Sequence, residues 1–404
     1  MKFPSLNEQL DVIRKGVVEI IPEEELIKKL ERSIEQSKPL KVKLGCDPSS
    51  SDLHIGHAVI LNKMREFQDL GHEVTLIIGD FTAMIGDPTG KKKTRPQLSF
   101  DEARRNGETY LQQATKVLDV NKTKFVYNSE WLSKLTIEDL IKVLGKFTLQ
   151  RIIERDDFTN RLRDHQEISL HEILYPIMQG YDSYVIKSDI ELGGTDQKFN
   201  NLIGRDMQKR FNEEPQIVIT MPLLEGTDGT EKMSKSLNNY VGITDTPQDI
   251  FGKIMSIPDL LIYKYFELAT RLTPTELASI KKELENPTTN PRDIKRKLGL
   301  EIVKLYYDEA AAHNAIEEFD KLFIKKEIPD EIPEFKTKKE VYKLVNLLKE
   351  AGLIESNSAA RRLIQQGGVS IDGERISDVN YEVKLKSGMT VKLGKRKFIK
   401  IVIS

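Results

Sequence analysis

Two short strings, far apart in the chain, concentrate groups that bind phosphate. His54-Ile55-Gly56-His57 sets a glycine between two imidazoles, and Lys232-Met233-Ser234-Lys235-Ser236 sets two ammonium groups beside hydroxyls. Each string alone has a plainer interpretation, because histidines three residues apart on a helix can begin a metal site and basic segments are usually solvated turns. A zinc site needs further ligands, yet the chain has one cysteine, Cys46, and six histidines without a second close-set cluster nearby. Together, in this order on either side of an α/β pattern, the strings predict a site that binds phosphate groups.

A third basic segment, Gly86 to Arg95, superficially resembles a phosphate-binding P-loop. The pattern fails, because Ile85 stands where the first glycine belongs and Lys92 where a serine or threonine is needed. A basic loop that closes over pyrophosphate suits these residues better. A solvated turn with idle lysines remains an alternative.

Two polar groups of residues could bind the rest of a substrate. Tyr175, Gln179 and Asp182 have the spacing i, i+4 and i+7, which places a phenol, an amide and a carboxylate on one helix face. Such a stripe is costly if buried without partners, so it predicts either a polar ligand or a wet surface. In the string 193–197, Gly-Gly-Thr-Asp-Gln, the glycines permit close backbone approach and Asp196 could accept both ribose hydroxyls; a plain turn is the alternative.

The elements that would position these residues alternate between strands and helices. Strands are predicted around 40–44, 74–78, 124–127, 186–192 and 216–219, with a helix from the turn at 45–48 through about Leu70. This alternation predicts an α/β fold with a doubly wound parallel, Rossmann-like nucleotide-binding sheet. Ligands of such sheets lie beyond the carboxyl ends of the strands, where the histidine string falls.

The chain divides into several predicted regions. Residues 1–37 are predicted to be an N-terminal helical segment, 38–245 the catalytic domain with an insert at about 130–165, and 246–325 a helical domain. Residues 326–339, with Pro329 and Pro333 among charges, are predicted to be a linker. Residues 340–404 are predicted to form a small α+β domain, with helices at 341–351 and 358–366 and strands around 369–371, 383–385 and 398–402.

Composition limits the class of protein. The 404 residues are 39% hydrophobic and 31% charged, no stretch approaches the ~20 apolar residues of a membrane span, and the first residues lack an apolar signal core. A single cysteine excludes an internal disulfide and is consistent with the cytoplasm. Residues 338–404 carry 14 Lys and Arg against 7 Asp and Glu, in a chain of net charge −1. This asymmetry favours a polyanionic partner, unless the lysines only keep a small domain soluble.

Taken in order, the strings resemble the signatures of bacterial tyrosyl-tRNA synthetases, which are class I aminoacyl-tRNA synthetases. The resemblance spans essentially the whole chain. It includes Ser358 to Ile364 and Gly368 to Gly373, which are similar to the small RNA-binding module that ends those enzymes. It implies a homodimer that binds L-tyrosine, tRNA(Tyr) and ATP with Mg²⁺, holds no structural metal, and uses the helical domain at the anticodon and the insert for dimerisation. The implied reaction forms tyrosyl-adenylate and pyrophosphate, and then transfers tyrosyl to the 3′-terminal adenosine of the tRNA.

The resemblance also implies a role for each matching residue. Six residues are expected to act in catalysis by binding the phosphates and the departing pyrophosphate: His54, His57, Lys91, Arg95, Lys232 and Lys235. The remaining contacts to ATP are expected from Gly45, Asp47, Gly56, Gly194 and Asp196. The substrate tyrosine is expected to bind to Asp87, Tyr175, Gln179, Asp182 and Gln197, with Asp182 accepting a hydrogen bond from the phenol. We expect phosphate contacts to RNA from Arg361, Arg362, Lys395, Arg396 and Lys397.

Two positions depart from the pattern of some family members. Lys43 stands where a tyrosine can contact the substrate hydroxyl, and Glu191 stands where glutamine is also known. Two rival interpretations remain at this point. The sister enzyme for tryptophan shares the fold and both ATP signatures, although Asp182 and the basic tail speak against it. A non-catalytic RNA-binding protein would have no need of His54, His57, Lys232 and Lys235.

Overall fold

A six-stranded sheet organises the first of two compact units, Met1–His313 and Asn314–Ser404. The computed structural model describes residues 3–48, 52–89, 98–323, 333–394 and 397–403. The strands are β1 (Glu19–Ile21), β2 (Lys41–Cys46), β3 (Glu73–Ile78), β4 (Thr123–Tyr127), β5 (Ile190–Gly194) and β6 (Ile217–Met221). Their order is β1-β6-β5-β2-β3-β4. All neighbouring strands run parallel except β1, which pairs antiparallel with β6.

Helices connect these strands and extend beyond them. In chain order they are α1 (Leu6–Arg14), α2 (Glu23–Gln36), α3 (Ile55–Asp69), α4 (Thr82–Ile85), α5 (Phe100–Ala114), α6 (Ser129–Leu132), α7 (Ile137–Leu144), α8 (Leu149–Ile153), α9 (Asp156–Arg163), α10 (Leu170–Ile186), α11 (Lys198–Arg210), α12 (Pro247–Met255), α13 (Ile262–Ala269), α14 (Pro274–Glu285), α15 (Pro291–Tyr306) and α16 (Glu309–Phe323). The series α12 to α16 confirms the helical character predicted from 247 onward.

Burial explains why the inner strands are so apolar. Every residue of β6 is buried, as are the last five of β3. Strands covered by helices on both faces have no solvent-facing side, so their sequences read as continuous apolar runs. The parallel, doubly wound sheet predicted from the alternating pattern is confirmed.

The N-terminal segment differs from its prediction as a helical region. Strand β1 interrupts it, with Ile20 opposite Ile219 of β6. Pro22 then precedes α2 as its N-cap and is followed by three glutamates in the first helical turn, where negative charge favours the helix dipole. Three residues of strand are too few for an alternating pattern to reveal, so the edge strand was missed.

Helices α6 to α9 form the insert between β4 and α10. Their apolar residues Val143, Ile152 and Phe158 pack with Ile177 and Met207 of α10 and α11. This cluster fixes the insert beside the helix that carries Tyr175, Gln179 and Asp182. The insert therefore adjoins the predicted substrate residues.

The second unit is a small α+β domain, and α16 crosses the boundary between the units. Its further elements are β7 (Glu334–Thr337), β8 (Val341–Lys343), α17 (Leu344–Glu350), α18 (Asn357–Gln365), β9 (Val369–Ile371), β10 (Glu374–Ile376), β11 (Glu382–Lys384), β12 (Thr390–Leu393) and β13 (Lys397–Ile403). The strands of this unit form a five-stranded sheet in the order β10-β9-β12-β13-β7 and a separate two-stranded sheet, β11-β8.

Two predictions about this region need correction. The segment 326–339 is not a linker throughout, because β7 lies within it and pairs parallel with β13. The helix predicted from Val341 begins only at Leu344, because Val341 to Lys343 pair with β11 and bury Tyr342. Local helical periodicity cannot reveal pairing with a strand forty residues away. Within the described ranges, no helix combines the length and apolar character needed to cross a bilayer.

Candidate active site

A polar cavity opens at the carboxyl ends of β2, β3 and β5. Strand β2 lies between β3 and β5, so the order of the strands reverses at β2. Open α/β sheets bind ligands beside such a reversal, beyond the carboxyl ends of the strands. The cavity is lined by Gly45, Cys46, Asp47, His57, Ile77, Gly79, Thr82, Asp87, Thr89, Tyr110, Asn128, Tyr175, Gln179, Asp182, Asp196, Gln197 and Lys232. It brings together residues from the histidine string, the segment 86–95, the polar stripe of α10, the string 193–197 and the lysine string.

The imidazole pair occupies the first turn of α3. His54 is the N-cap, and its backbone N–H donates to His57 Nδ1 at 3.3 Å. The rings stack with centroids 3.7 Å apart. Burial lowers the pKa of His57 to about 4, helped by Lys235 and Lys232. Burial and the neighbouring His57 lower the pKa of His54 to about 2. Both rings are therefore neutral near pH 7, and each offers one N–H donor rather than a positive charge.

The histidine string and the lysine string meet in space. Ile55 N–H donates to Val241 O at 2.9 Å, and Ile243 N–H donates to Leu53 O at 3.1 Å. The segment that follows the lysine string is thus held against the start of α3. A Cβ on Gly56 would lie 3.4 Å from Met233 Cβ. The predicted convergence of the histidine and lysine strings on one cleft is confirmed.

The two lysines of the string reach this cleft from a braced loop. Lys232 lines the cavity with His57, and its Nζ lies 3.9 Å from Asp196 Oδ2. Lys235 Nζ lies 2.7 Å from Asp52 Oδ2. Asn239 fixes the loop from within, as its Oδ1 accepts from Ser234 N–H at 2.8 Å and its Nδ2 donates to Lys232 O at 3.2 Å. Sequence reasoning missed Asn239, although it lies only three residues beyond the lysine string.

Asp182 of α10 is buried and also lines the cavity. Trp131 Nε1 donates to Asp182 Oδ1 at 2.8 Å, and Asn128 Nδ2 donates to Oδ2 at 3.3 Å. Burial raises the pKa of Asp182 to about 7, although Lys43 and these two donors oppose the shift. Trp131 and Asn128 were not predicted as site residues. The only tryptophan of the chain, just after β4, was the one available signal.

A second carboxylate, that of the half-buried Asp47, also lines the cavity. Asp47 Oδ1 accepts from Thr82 Oγ1 at 2.7 Å, and the hydroxyl of Tyr175 lies close to this carboxylate. Burial raises the pKa of Asp47 to about 7. Gly79 makes room for this carboxylate, because a Cβ there would lie 2.0 Å from Asp47 Oδ1. Asp47 thus already accepts one hydrogen bond, from Thr82, in the cavity that Tyr175 also lines.

Asp87 lies at the centre of a third polar network. Its Oδ2 accepts from Gln197 Nε2 at 2.7 Å, and its Oδ1 accepts from Arg155 at 3.0 Å and from Thr89 N–H at 3.0 Å. Burial would raise the pKa of Asp87, but Arg155 and Thr89 outweigh burial and lower it. Arg155 comes from the insert, at the N-cap of α9. Sequence reasoning missed it, since no motif places an arginine of this segment beside Asp87.

The remaining predicted contacts lie at the edges of the cavity. Gln179 Nε2 donates to Asn201 Oδ1 at 3.1 Å. Gly45 lies near the end of β2 and Gly194 at the end of β5. A Cβ on Gly194 would lie 2.5 Å from Asp196 Oδ1. Burial raises the pKa of Asp196, and Lys232 opposes that shift.

Four predicted residues cannot be placed, because Lys91, Arg95, Lys395 and Arg396 lie outside the described residues. In the second unit, Arg361 and Arg362 are exposed on α18. Lys397 Nζ donates to Leu353 O at 2.8 Å, so part of its hydrogen-bonding capacity is used within the domain. In the described parts of the chain, no cluster of three or more His, Cys, Asp or Glu side chains could hold a metal ion.

A parallel nucleotide-binding sheet with His-Ile-Gly-His at the start of a helix and Lys-Met-Ser-Lys-Ser beside it defines a class I aminoacyl-tRNA synthetase. The family model described as tRNA synthetases class I (W and Y) matches residues 35–324. A model described as the SYY-like C-terminal domain of tyrosine–tRNA ligase matches residues 324–401. The chain belongs to the tyrosine–tRNA ligase family.

Curated relatives and solved structures agree with this family. The tyrosine–tRNA ligase of Carboxydothermus hydrogenoformans is 54% identical, covering 100% of this chain and 99% of its own. That of Moorella thermoacetica is 49% identical over 97% and 95%. The tyrosyl-tRNA synthetase of Archaeoglobus fulgidus, solved with L-tyrosine, superposes with a TM-score of 0.63 at 22% identity, covering 78% of this chain and 100% of its own. A truncated mitochondrial tyrosyl-tRNA synthetase of Aspergillus nidulans gives 0.65 at 21%, covering 79% and 94%. At these identities, the two structures support the fold.

Proposed function

We propose that the cavity at the ends of β2, β3 and β5 is where this chain activates L-tyrosine with ATP. The activity is that of a tyrosine–tRNA ligase: tyrosyl-adenylate and pyrophosphate form first, and tyrosyl is then transferred to the 3′-terminal adenosine of tRNA(Tyr). One observation carries the assignment. The neutral imidazole of His57 and the ammonium of Lys232 line the same cavity as the buried carboxylate of Asp182. The first two groups suit phosphates and the carboxylate suits a phenol, so the proposal assigns them to opposite ends of the bound substrates.

Tyrosine fits the Asp182 end by hydrogen-bond chemistry. The substrate phenol donates to Asp182, whose orientation Trp131 and Asn128 fix. The substrate ammonium lies among Asp87, Tyr175 and Gln179, which line the same cavity. Arg155 keeps the Asp87 carboxylate ionised, so Asp87 can attract the positive charge of the ammonium. Gln197, already bonded to Asp87, lies near the carboxylate that reacts.

ATP fits the other end. Gly56 leaves space for the adenine against backbone, and Gly194 with Asp196 receives the ribose. The N–H groups of His54 and His57 face the phosphates at the N-terminus of α3, where the helix dipole favours negative charge. Gly45 and Asp47 complete the contacts. Mg²⁺ enters with ATP, held mainly by the phosphate oxygens.

The first step needs no protein nucleophile. An oxygen of the tyrosine carboxylate attacks the α-phosphorus, the bond to the bridging oxygen breaks, and pyrophosphate departs with that electron pair. Catalysis then consists of positioning and of stabilising charge on the phosphate oxygens. Lys232 and Lys235 supply that charge, joined by Lys91 and Arg95 on the family pattern. In the second step, a ribose hydroxyl of the terminal adenosine attacks the tyrosyl carbonyl and AMP leaves.

Exchange of labelled pyrophosphate into ATP tests this function directly. The unmodified chain is incubated with ATP, Mg²⁺ and labelled pyrophosphate without RNA, and with tyrosine, tryptophan or phenylalanine. We expect exchange with tyrosine and far slower exchange with the other two. Exchange that prefers tryptophan would assign the chain to the sister specificity, and no exchange with any amino acid would indicate a non-catalytic protein.

The second unit binds tRNA in this proposal, through Arg361 and Arg362 of α18. We expect the double change Arg361→Glu and Arg362→Glu to weaken tRNA charging while pyrophosphate exchange stays unchanged. Each lost phosphate contact should also reduce the slope of log affinity against log salt by about one. Charging assays at several salt concentrations measure both effects. Lys384→Glu and Lys386→Glu, which change charge elsewhere in this unit, are the control; equal losses in both variants would contradict the assignment.

The insert provides the dimer interface in this proposal, and the active form is a cytoplasmic homodimer. Large apolar side chains are exposed at Ile137 (79%), Ile141, Leu149, Leu162 and Leu170 (83%), all on α7 to α10. Exposed apolar residues concentrated in one segment mark an interaction surface. A dimer would bury them.

Charge introduced on this surface should separate the subunits. Ile137 and Ile141 are one turn apart on α7, so Ile137→Glu with Ile141→Glu places two carboxylates on one helix face. We expect a dimer for the unmodified chain and a monomer for this variant in sedimentation velocity. Leu260→Glu, at an exposed leucine outside the insert, should remain dimeric. A variant that sediments like its parent would refute the interface.

A further inference from the structure

A buried ion pair lies in the sheet next to the proposed tyrosine pocket. Lys43 of β2 and Glu191 of β5 are direct partners in the parallel pairing of the two strands. Lys43 Nζ lies 2.8 Å from Glu191 Oε1, and the two side chains are 0% and 1% exposed. Desolvation makes such a pair a poor source of stability compared with apolar residues of similar size. Its presence in the sheet therefore calls for another role.

Glu191 connects the pair to the helix that carries the proposed tyrosine contacts. Its Oε1 also accepts from Gln179 Nε2 at 3.4 Å, and its Oε2 accepts from Ser183 Oγ at 3.1 Å and from Gln216 Nε2. Gln179 and Ser183 lie on either side of Asp182 in α10. Glu191 thus fixes this turn of α10 relative to the sheet.

Lys43 acts on the same region through its charge. Three charged groups influence Asp182: Lys43 on β2, Asp47 after β2 and Glu191 on β5. Two neutral donors also bond to it, Asn128 at the N-cap of α6 and Trp131 within α6. Lys43 is the cation of this set, beside the two carboxylates of Asp47 and Glu191. Its positive charge is the largest influence that opposes the rise in the pKa of Asp182 caused by burial. Lys43 does not line the cavity, so it acts without touching the substrate.

We propose that Lys43 and Glu191 are a positioning pair that determines specificity in the tyrosine pocket. Lys43 keeps the Asp182 carboxylate charged, so that it accepts a hydrogen bond from the substrate hydroxyl, and Glu191 holds Gln179 and Ser183 in place. This inference rests on the proposed function, because it concerns how that same pocket recognises tyrosine. In some family members a tyrosine at position 43 can contact the substrate hydroxyl directly, whereas Lys43 acts on that hydroxyl through its effect on the charge of Asp182.

Three variants separate charge from packing: Lys43→Met, Glu191→Gln and the two together. The measurement is kcat/KM for tyrosine in pyrophosphate exchange across a pH range that includes the ionisation of Asp182. Removing the positive charge should raise the midpoint of the pH profile by about one unit, and removing the negative charge should lower it. The double variant should return close to the parent value. Lys43→Arg, which keeps the charge, should also keep the midpoint.

A merely structural role would give another pattern. Both single variants would then lose activity with midpoints unmoved or shifted in the same direction, and this result would overturn the inference. Phenylalanine provides an internal control, since it has no hydroxyl and its much lower kcat/KM should not follow the shifted midpoint. A midpoint that moved equally for both amino acids would also overturn it. Failure of the proposed function is distinct, because the unmodified chain would then show no tyrosine-dependent exchange at all.

Discussion

Replacing Asp182 by asparagine should erode the preference for tyrosine over phenylalanine more than any other single change in the cavity. The substrate phenol loses an anionic acceptor, and hydrogen bonds to charged groups contribute about 1.5–3 kcal/mol. A loss of that size corresponds to a ~10- to 150-fold fall in the ratio of kcat/KM for the two amino acids. Pyrophosphate exchange, measured separately with each amino acid, gives this ratio.

The asparagine is a close match in shape, so it isolates the charge. Asn128 and Trp131 donate to Asp182 in the parent, and the new amide oxygen can still accept from one of them. Asp80→Asn is a suitable control, because Asp80 is fully buried and bonded to Ser129 and Arg104 without lining the cavity. The control should leave the selectivity ratio intact even where it lowers stability. An unchanged ratio in Asp182→Asn would contradict the placement of the phenol.

Replacing Lys232 or Lys235 by methionine should lower kcat for adenylate formation about 10²–10³-fold, the usual cost of losing one preorganised charge-stabilising group. The ammonium groups interact most strongly with the charge that develops as pyrophosphate departs, so the loss appears in kcat. KM for tyrosine should change little, because in the proposal the lysines act on the phosphates of ATP whereas Asp182 binds the phenol of tyrosine. Single-turnover formation of the adenylate, followed without tRNA, measures the step itself.

Lys264→Met provides a matched control for these two variants. Lys264 has a similar exposure to Lys235, and its Nζ donates to Glu225 rather than facing the cavity. This variant should form adenylate at the parent rate. If Lys232→Met and Lys235→Met did the same, the lysine string would have no part in catalysis. If they raised KM for tyrosine instead of lowering kcat, its role would be in binding.

Motifs and spacing predicted those parts of the site whose residues lie close together in the sequence. Tyr175, Gln179 and Asp182 share a face of α10 because helical geometry alone places them there. The start of α3 could be placed at the carboxyl edge of the sheet because the order of strands and helices determines that edge. These predictions needed no knowledge of distant contacts.

Other features depend on the folded environment and could not be predicted in this way. Arg155 reaches Asp87 across 68 positions, and Trp131 reaches Asp182 across 51. Neither pair has a sequence signature. The neutrality of His54 and His57 follows from burial, which no spacing reveals, so the positive charge at the proposed phosphate site comes from the lysines. The ion pair of Lys43 and Glu191 likewise becomes visible only when β2 and β5 are known to be neighbours.

A crystal structure with a non-hydrolysable tyrosyl-adenylate mimic tests most directly that one cavity serves both substrates. The phenol should lie within hydrogen-bonding distance of Asp182, and the α-phosphate mimic should lie in the cleft shared by His57 and Lys232. A mimic bound elsewhere, or with its phenol directed away from Asp182 and its phosphate end far from both strings, would contradict the account.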